Sequence, residues 1–214
     1  MHPFFGSAQI LRQMIHADVA DPDRPSFNAE TLIFSNHTAT HVDAFGHYDS
    51  SPEAESIAEM DLGLFCGPAV AIDVRPYGAK GHWVTPDEAQ EALDQGGAEL
   101  REGDALLFCT DHYNLTAGTP AFLDGFSGVA PETVGWMADR GVRIFGTETI
   151  SPDLVYATDD YRTHRACIQH RITHYENLNN LTQVLGRRFE FYGFPLRLEV
   201  AYGSPVRAVA IVDE

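Results

Sequence analysis

Between residues 37 and 47 the chain runs His37-Thr-Ala-Thr-His41-Val-Asp43-Ala-Phe-Gly-His47, with three imidazoles and one carboxylate at odd-numbered positions. On a helix His37 and His41 would share a face, but Asp43 would point about 200° away from His41. On an extended chain all four groups share one face, and Thr38, Thr40 and Val42 take the other. At roughly 3.3 Å per residue, His41 and Asp43 then lie about 7 Å apart, close enough for one metal ion. His37 and His47 would be roughly 13 Å from His41 or further, so the chain must curl at both ends. Ala39 and Gly46 are small enough to permit it. Imidazole nitrogen with carboxylate oxygen suits Zn²⁺ or Mn²⁺. The alternative is a polar surface strand with incidental histidines, and the density of ligating groups argues against it.

A second cluster follows at His164-Arg-Ala-Cys-Ile-Gln-His170-Arg-Ile-Thr-His174-Tyr-Glu176-Asn-Leu178. Spacing says less here. His170 and His174 are four apart and could share a helix face as ligands, or simply be solvated. Glu176 could be an ordinary loop carboxylate.

Short apolar runs bounded by Gly, Pro or Asp predict buried strands at 30–34, 69–74, 105–109 and 142–145. Helices are expected between them. Thr85-Pro86-Asp87-Glu88 carries a cap, a first-turn proline and acids at the positive end of the dipole, and that helix should stop at Gly96-Gly97. Ala130-Pro131-Glu132 opens a second helix ending at Gly141. Strands are expected again over 189–194, 196–201 and 206–212. Helices between strands, then paired strands, predict a mixed α/β fold in a single domain over residues 1–214.

The first cluster resembles the HxGTHxDxPxH signature of the metal-dependent cyclase-like hydrolases, the family of bacterial kynurenine formamidase and isatin hydrolase. The resemblance extends through Leu100-Arg-Glu-Gly103-Asp104, through Gly141-Val-Arg-Ile-Phe-Gly146-Thr-Glu148-Thr-Ile-Ser151-Pro-Asp153, and through His164-Arg165 with Glu176-Asn177-Leu178 twelve residues later. It covers roughly residues 30–180 in the family's order. It implies a swivelling β/β/α fold, usually assembled as a homodimer or homotetramer. It makes His37, His41, Asp43, His164 and Glu176 metal ligands for one or two Zn²⁺ ions, with Mn²⁺ as the alternative, and lets Asp43 and Glu176 bridge. His47 falls at the family's catalytic histidine. His170 and His174 match nothing in the pattern and are set aside as incidental. Ala39 replaces the signature glycine, Phe45 its proline, and Glu148 stands where Asp is usual. The family's leading strand is expected to be short or missing.

The chemistry expected from this set is hydrolysis of an activated amide, either an N-formyl aryl amide or a cyclic amide. A divalent ion lowers the pKa of bound water towards 7 and so supplies hydroxide, while His47 relays the proton to the leaving nitrogen. Thr38, Thr40 and Ser151 are candidates for fixing the ligand rings. Phe34, Phe45 and Tyr48, with Phe4, Phe5 and Phe65 nearby in sequence, would line an aromatic pocket, and Arg12 or Arg162 could receive an anionic group. The rival readings are a metal-dependent cyclase or dehydratase of secondary metabolism, a lactone hydrolase, or a metal-binding protein without catalysis.

Composition disfavours nucleic-acid and membrane-surface partners, which agrees with the small-molecule substrate that the resemblance implies. The 214 residues are 44% hydrophobic and 11% aromatic, which excludes a disordered chain. The net charge of −17 repels nucleic acid and anionic membrane. No apolar run approaches a membrane span, and the amino terminus lacks a secretory pattern. Cys66, Cys109 and Cys167 are odd in number, widely spaced and expected to be free thiols in a cytoplasmic protein. No G-x-S-x-G, P-loop or dinucleotide fingerprint is present.

Overall fold

A computed structural model describes the backbone of residues 9–15 and 27–212, with side chains from Glu30 to Val212. Phe4, Phe5 and the Arg12 side chain lie outside the described residues. In chain order the strands are β1 (Gln9–Ile15), β2 (Phe27–Ile33), β3 (His41–Asp43), β4 (Cys66–Asp73), β5 (Trp83–Val84), β6 (Ala105–Cys109), β7 (Gly128–Val129), β8 (Ile144–Thr147), β9 (Thr173–Glu176), β10 (Arg188–Tyr192), β11 (Gly203–Pro205) and β12 (Val209–Ile211). The α-helices are α1 (Pro86–Gly96), α2 (His112–Thr116), α3 (Ala121–Asp124), α4 (Pro131–Asp139) and α5 (Arg162–His170).

Eight strands form one sheet in the order β11-β3-β9-β8-β6-β4-β10-β12. Its centre, β4, β6, β8 and β9, is parallel. Both flanks are antiparallel. The central strands are nearly continuous apolar runs because both faces are covered. Alternation divides them: Val70, Ile72, Leu106, Phe108 and Phe145 pack against Ala89 and Ala92 of α1, Val134 and Met137 of α4, and Ala166 of α5. Ala69, Ala71, Ala105, Leu107 and Ile144 face the other way, towards Phe65, Phe189 and Phe191. The result is mixed α/β, as the alternation of elements requires.

Helix α1 has the expected start, with a capping box between Thr85 and Glu88 and a left-handed Gly97 at its end. Four expectations need correction. The strand expected to be buried at 30–34 is exposed, Leu32 at 57% and Ile33 at 52%, because β2 pairs with β1 in a separate two-stranded sheet. Residues 196–201 form no strand: Val200 sits at φ +57° and Leu196 is exposed, so the segment turns rather than pairs. Residues 206–212 form a strand only over β12, since Gly203–Pro205 leaves to pair with β3 at the opposite edge. His170 and His174 share no helix, because Arg171 in the left-handed region ends α5 and His174 belongs to β9.

Register positions the chemistry. In the β3–β9 pair His41 lies opposite Glu176, and in the β11–β3 pair Gly203 lies opposite Asp43. Two motifs more than a hundred residues apart therefore meet across two neighbouring strands. Glu148, in the loop after β8, accepts backbone N–H groups from Thr110 (2.8 Å), Asp111 (2.5 Å) and Leu181 (3.0 Å), which ties three loops together at the same end of the sheet.

Candidate metal centre

His41 and Asp43 are two apart on β3, as are His174 and Glu176 on β9, so each pair projects from one face of its strand. The chain curls on both sides of β3. Ala39 takes φ +57°, which brings His37 back over the strand. Phe45–His47 forms one 3₁₀ turn, which returns His47. The ring of His37 stacks on that of His47 at 3.9 Å. His164 arrives from the first turn of α5, where the Asp153 carboxylate accepts the backbone N–H groups of Thr163 (2.9 Å) and His164 (3.1 Å).

The donor atoms form two groups that share Asp43: His37, His41 and Asp43 in one, and Asp43, His164, His174 and Glu176 in the other. Asp43 Oδ1 is 2.8 Å from His37 Nδ1 and 3.3 Å from His41 Nε2. Its Oδ2 faces His164 Nε2 at 3.5 Å, His174 Nε2 at 3.4 Å and His47 Nε2 at 3.7 Å. Glu176 divides in the same way, with Oε2 at 3.4 Å from His41 Nε2 and Oε1 at 3.4 Å from His174 Nε2 and 3.7 Å from His164 Nε2. All six residues are buried. His47 differs, its side chain being 22% exposed and so open to a substrate.

Burial pulls the His41 imidazole down, but Asp43 and Glu176 outweigh it and hold it up at about 9. His164 likewise stands at about 9, with burial opposed by Asp153 and Asp43. Burial raises Asp43, and the surrounding histidines overcome it to keep the carboxyl well below the ordinary range. His47 goes the other way: burial, aided by repulsion from His37 and His164, pushes it down to about 4, so its ring is neutral at pH 7.

The residues fit a divalent cation. His41 Nε2 and both Asp43 oxygens are buried without a hydrogen bond of proper geometry, although imidazole nitrogens crowd them. Such atoms are costly unless a charge completes them. The rings are also held with a nitrogen aimed inward. His41 Nδ1 donates to Ala39 O at 2.9 Å, and His164 Nδ1 lies 2.6 Å from Asp153 Oδ2, which leaves each Nε2 free to ligate.

The five ligands expected from sequence, His37, His41, Asp43, His164 and Glu176, thus converge, with His47 beside them. His174, set aside from the sequence, lies among them. Its signal was the one that found His41 and Asp43: a histidine two residues before a carboxylate on a strand. His170 ends α5 and stands apart, packed near Gly135. A small cleft of about 20 Å³, room for about one water, is lined by Asp43, Phe45, His47, Tyr48, His164 and His174. Phe45 and Tyr48 are therefore at the site. Tyr48 lies 4.2 Å from the His164 ring. Phe34 is 39% exposed and outside that lining, and Phe65 is fully buried in the core. Arg162 is engaged with Asp160 at 2.7 Å. Of the residues expected to fix the rings, Thr40 instead donates to Asn177 O, Ser151 accepts the N–H of Asp153, and Thr38 Oγ1 has no hydrogen bond.

The family model described as "Putative cyclase" matches residues 2–154. A kynurenine formamidase of Salinibacter ruber is 33% identical over 187 residues, covering 87% of this chain and 81% of that protein. The kynurenine formamidase of Bordetella pertussis is 32% identical over 188 residues, covering 88% and 82%. Isatin hydrolase A from Ralstonia solanacearum matches in structure with a TM-score of 0.78 at 29% identity, covering 100% of this chain and 86% of that one. This chain belongs to the cyclase-like hydrolase family, alongside bacterial kynurenine formamidases and isatin hydrolases, and its α/β fold is the one that resemblance implied.

Proposed function

We propose that this protein is a metal-dependent hydrolase of an activated amide carried by a small molecule, an N-formyl aryl amide or a ring amide. The observation that carries the reading is the position of His47: a mostly buried imidazole, 22% exposed, with Nε2 3.7 Å from the carboxylate shared by two groups of ligands. The names of the relatives, formamidase and isatin hydrolase, support the same bond class.

His37, His41, Asp43, His164, His174 and Glu176 would hold the ion or ions, Zn²⁺ or Mn²⁺. A cation bound there supplies a Lewis acid and makes a nearby water more acidic. The chain's own residues do the rest. His47 Nε2 accepts the proton of the attacking water and delivers it to the nitrogen that leaves, so amide and water become a carboxylic acid and an amine, the acid then giving its proton to solvent, with no other reactant. Phe45 and Tyr48 flank the cleft and offer flat apolar surface to an aryl group. Asp153 holds His164 in place through its Nδ1.

The test is His47→Ala, with metal content and turnover of N-formylkynurenine and isatin measured together. Retained metal with turnover reduced about 10²- to 10⁴-fold is expected. Unchanged turnover removes the role given to His47. Products whose summed mass exceeds the substrate by one water, a single ring-opened product from isatin or an amine with formate from N-formylkynurenine, identify hydrolysis; products without that gain turn the reading to the cyclase or dehydratase alternative.

A further inference from the structure

We propose that Phe45, Arg171 and Glu55 form a latch across the cleft beside His47, and that this latch sets the size of the molecule the cleft accepts. This rests on the metal-dependent reading above, in which that cleft receives the substrate.

The cleft has room for about one water, so an organic substrate has to displace part of its wall. Most of that wall is fixed. Asp43, His164, Cys167, Ile172, Thr173 and His174 are buried, and Thr173 Oγ1 donates to Asp43 O at 2.7 Å. Tyr48 is wedged among rings, 4.6 Å from His47, 5.0 Å from Tyr161 and 4.2 Å from His164. Phe45 differs. Its half-buried ring projects from a single 3₁₀ turn, and one surface side chain covers a face of it, with Arg171 Cζ 4.5 Å from the ring centre.

Arg171 reaches Phe45 from the other element of the cleft. It ends α5 in the left-handed region, between Ile168 and Ile172, which both line the cleft. Its side chain is 69% exposed and is anchored by Glu55, Nη2 to Oε2 at 2.6 Å. Glu55 fixes the turn as well: its carbonyl accepts the Gly46 N–H at 3.0 Å, and a Cβ on Gly46 would meet that oxygen at 2.7 Å. The turn's backbone is therefore held tightly, while the Phe45 ring is held by an exposed cation–π contact and an exposed ion pair, both weak. Phe45 stands where the family signature has proline, which offers a guanidinium no aromatic face, so the latch is a feature of this chain. A small ligand fits beneath the closed ring. A larger one needs the ring swung out, and its affinity is reduced by the fraction of protein that is open.

Hydroxamic acids test this, because the hydroxamate group chelates divalent ions and carries a substituent of chosen size. Calorimetric titration of the full-length, Zn²⁺-loaded protein with acetohydroxamic and benzohydroxamic acids gives a ratio of two affinities without any turnover. The wild type should bind the methyl compound at least about tenfold more tightly than the phenyl compound. Phe45→Ala should narrow that ratio about tenfold, by gaining affinity for the phenyl compound. Phe45→Leu, the milder change for folding, should narrow it less; circular dichroism checks both. Arg171→Ala and Glu55→Gln leave the wall in place and release the latch, so each should narrow the ratio about two- to fivefold. Arg171→Lys keeps a cation over the ring and a partner for Glu55, and should retain most of the discrimination. A ratio unchanged in both Phe45 variants, or in Arg171→Ala, would overturn the latch, as would a wild type that prefers the phenyl compound; each leaves the metal reading intact. Binding of neither compound by protein that holds its metal would overturn the reading of the cleft as the substrate site, and the latch with it.

Discussion

Asp153 Oδ2 lies 2.6 Å from His164 Nδ1, and the same carboxylate accepts the backbone N–H groups of Thr163 and His164. One side chain therefore starts α5 and turns the imidazole so that Nε2 faces Asp43 and Glu176. The pairing also favours the tautomer with the proton on Nδ1, the form that can ligate through Nε2.

Asp153→Asn should keep the helix start largely intact while removing the charge behind His164. Cation affinity is expected to fall about 10- to 100-fold, as for loss of other outer-shell partners. Competition against a chelator of known affinity measures this. An unchanged dissociation constant would mean that Asp153 serves the helix alone.

A second prediction concerns Gly203, which β11 places opposite Asp43. A Cβ built there would meet His37 Cε1 at 2.6 Å and Nε2 at 2.9 Å, so the imidazole occupies the space a side chain would need. Gly203→Ala must push that ring aside. A stability loss of about 1–3 kcal/mol is expected from the overpacking, together with reduced metal occupancy that spares the half holding His164 and His174. Urea midpoints and metal stoichiometry check it; full occupancy at unchanged stability would contradict it.

Much of this centre was legible because a strand has a side-chain period of two. His41 and Asp43 follow from that period, and the curl at Ala39 and Gly46 follows from distance alone. His174 obeys the same rule with Glu176 and was passed over, since its spacing to His170 suggested a helix face. What ends that helix is Arg171 in the left-handed region, which its residue type does not announce. Residues 196–201 misled in a similar way: apolar composition suggested a strand, but Val200 turns the chain and Leu196 is left in solvent. The register that sets His41 against Glu176 is a long-range pairing, and no local pattern in either segment specifies it.

The third prediction lies away from the site. Arg188 of β10 forms a two-pronged pair with the buried Asp104, at 2.6 and 2.7 Å, and Asp104 also accepts the N–H of Arg101 at 2.7 Å. Arg188→Met keeps the apolar stem and leaves a buried carboxylate without its cation. The cost should be about 3 kcal/mol. Arg101→Met, which loses only the exposed pair with Glu99, should cost less than about 1 kcal/mol. Equal urea midpoints for the two variants would show that the buried pair carries no special weight.

The fourth prediction is a pH dependence set by His112, a buried residue of α2 whose Nε2 donates to Phe122 O at 2.9 Å. Burial lowers its pKa from the ordinary 6.5, and the Phe122 carbonyl only partly opposes this. The folded protein therefore keeps the ring neutral at a pH where the unfolded chain takes up a proton. The contribution of His112 is fully present above pH 6.5 and is lost as pH falls through that value towards the depressed one. Gln in its place can still donate to Phe122 O but cannot titrate. His112→Gln should thus lose less stability than the wild type between pH 7.5 and pH 5.5, whatever its stability at the upper end. Urea unfolding of both proteins at the two pH values gives the comparison, and parallel losses would show that the proton taken up on unfolding belongs to other groups.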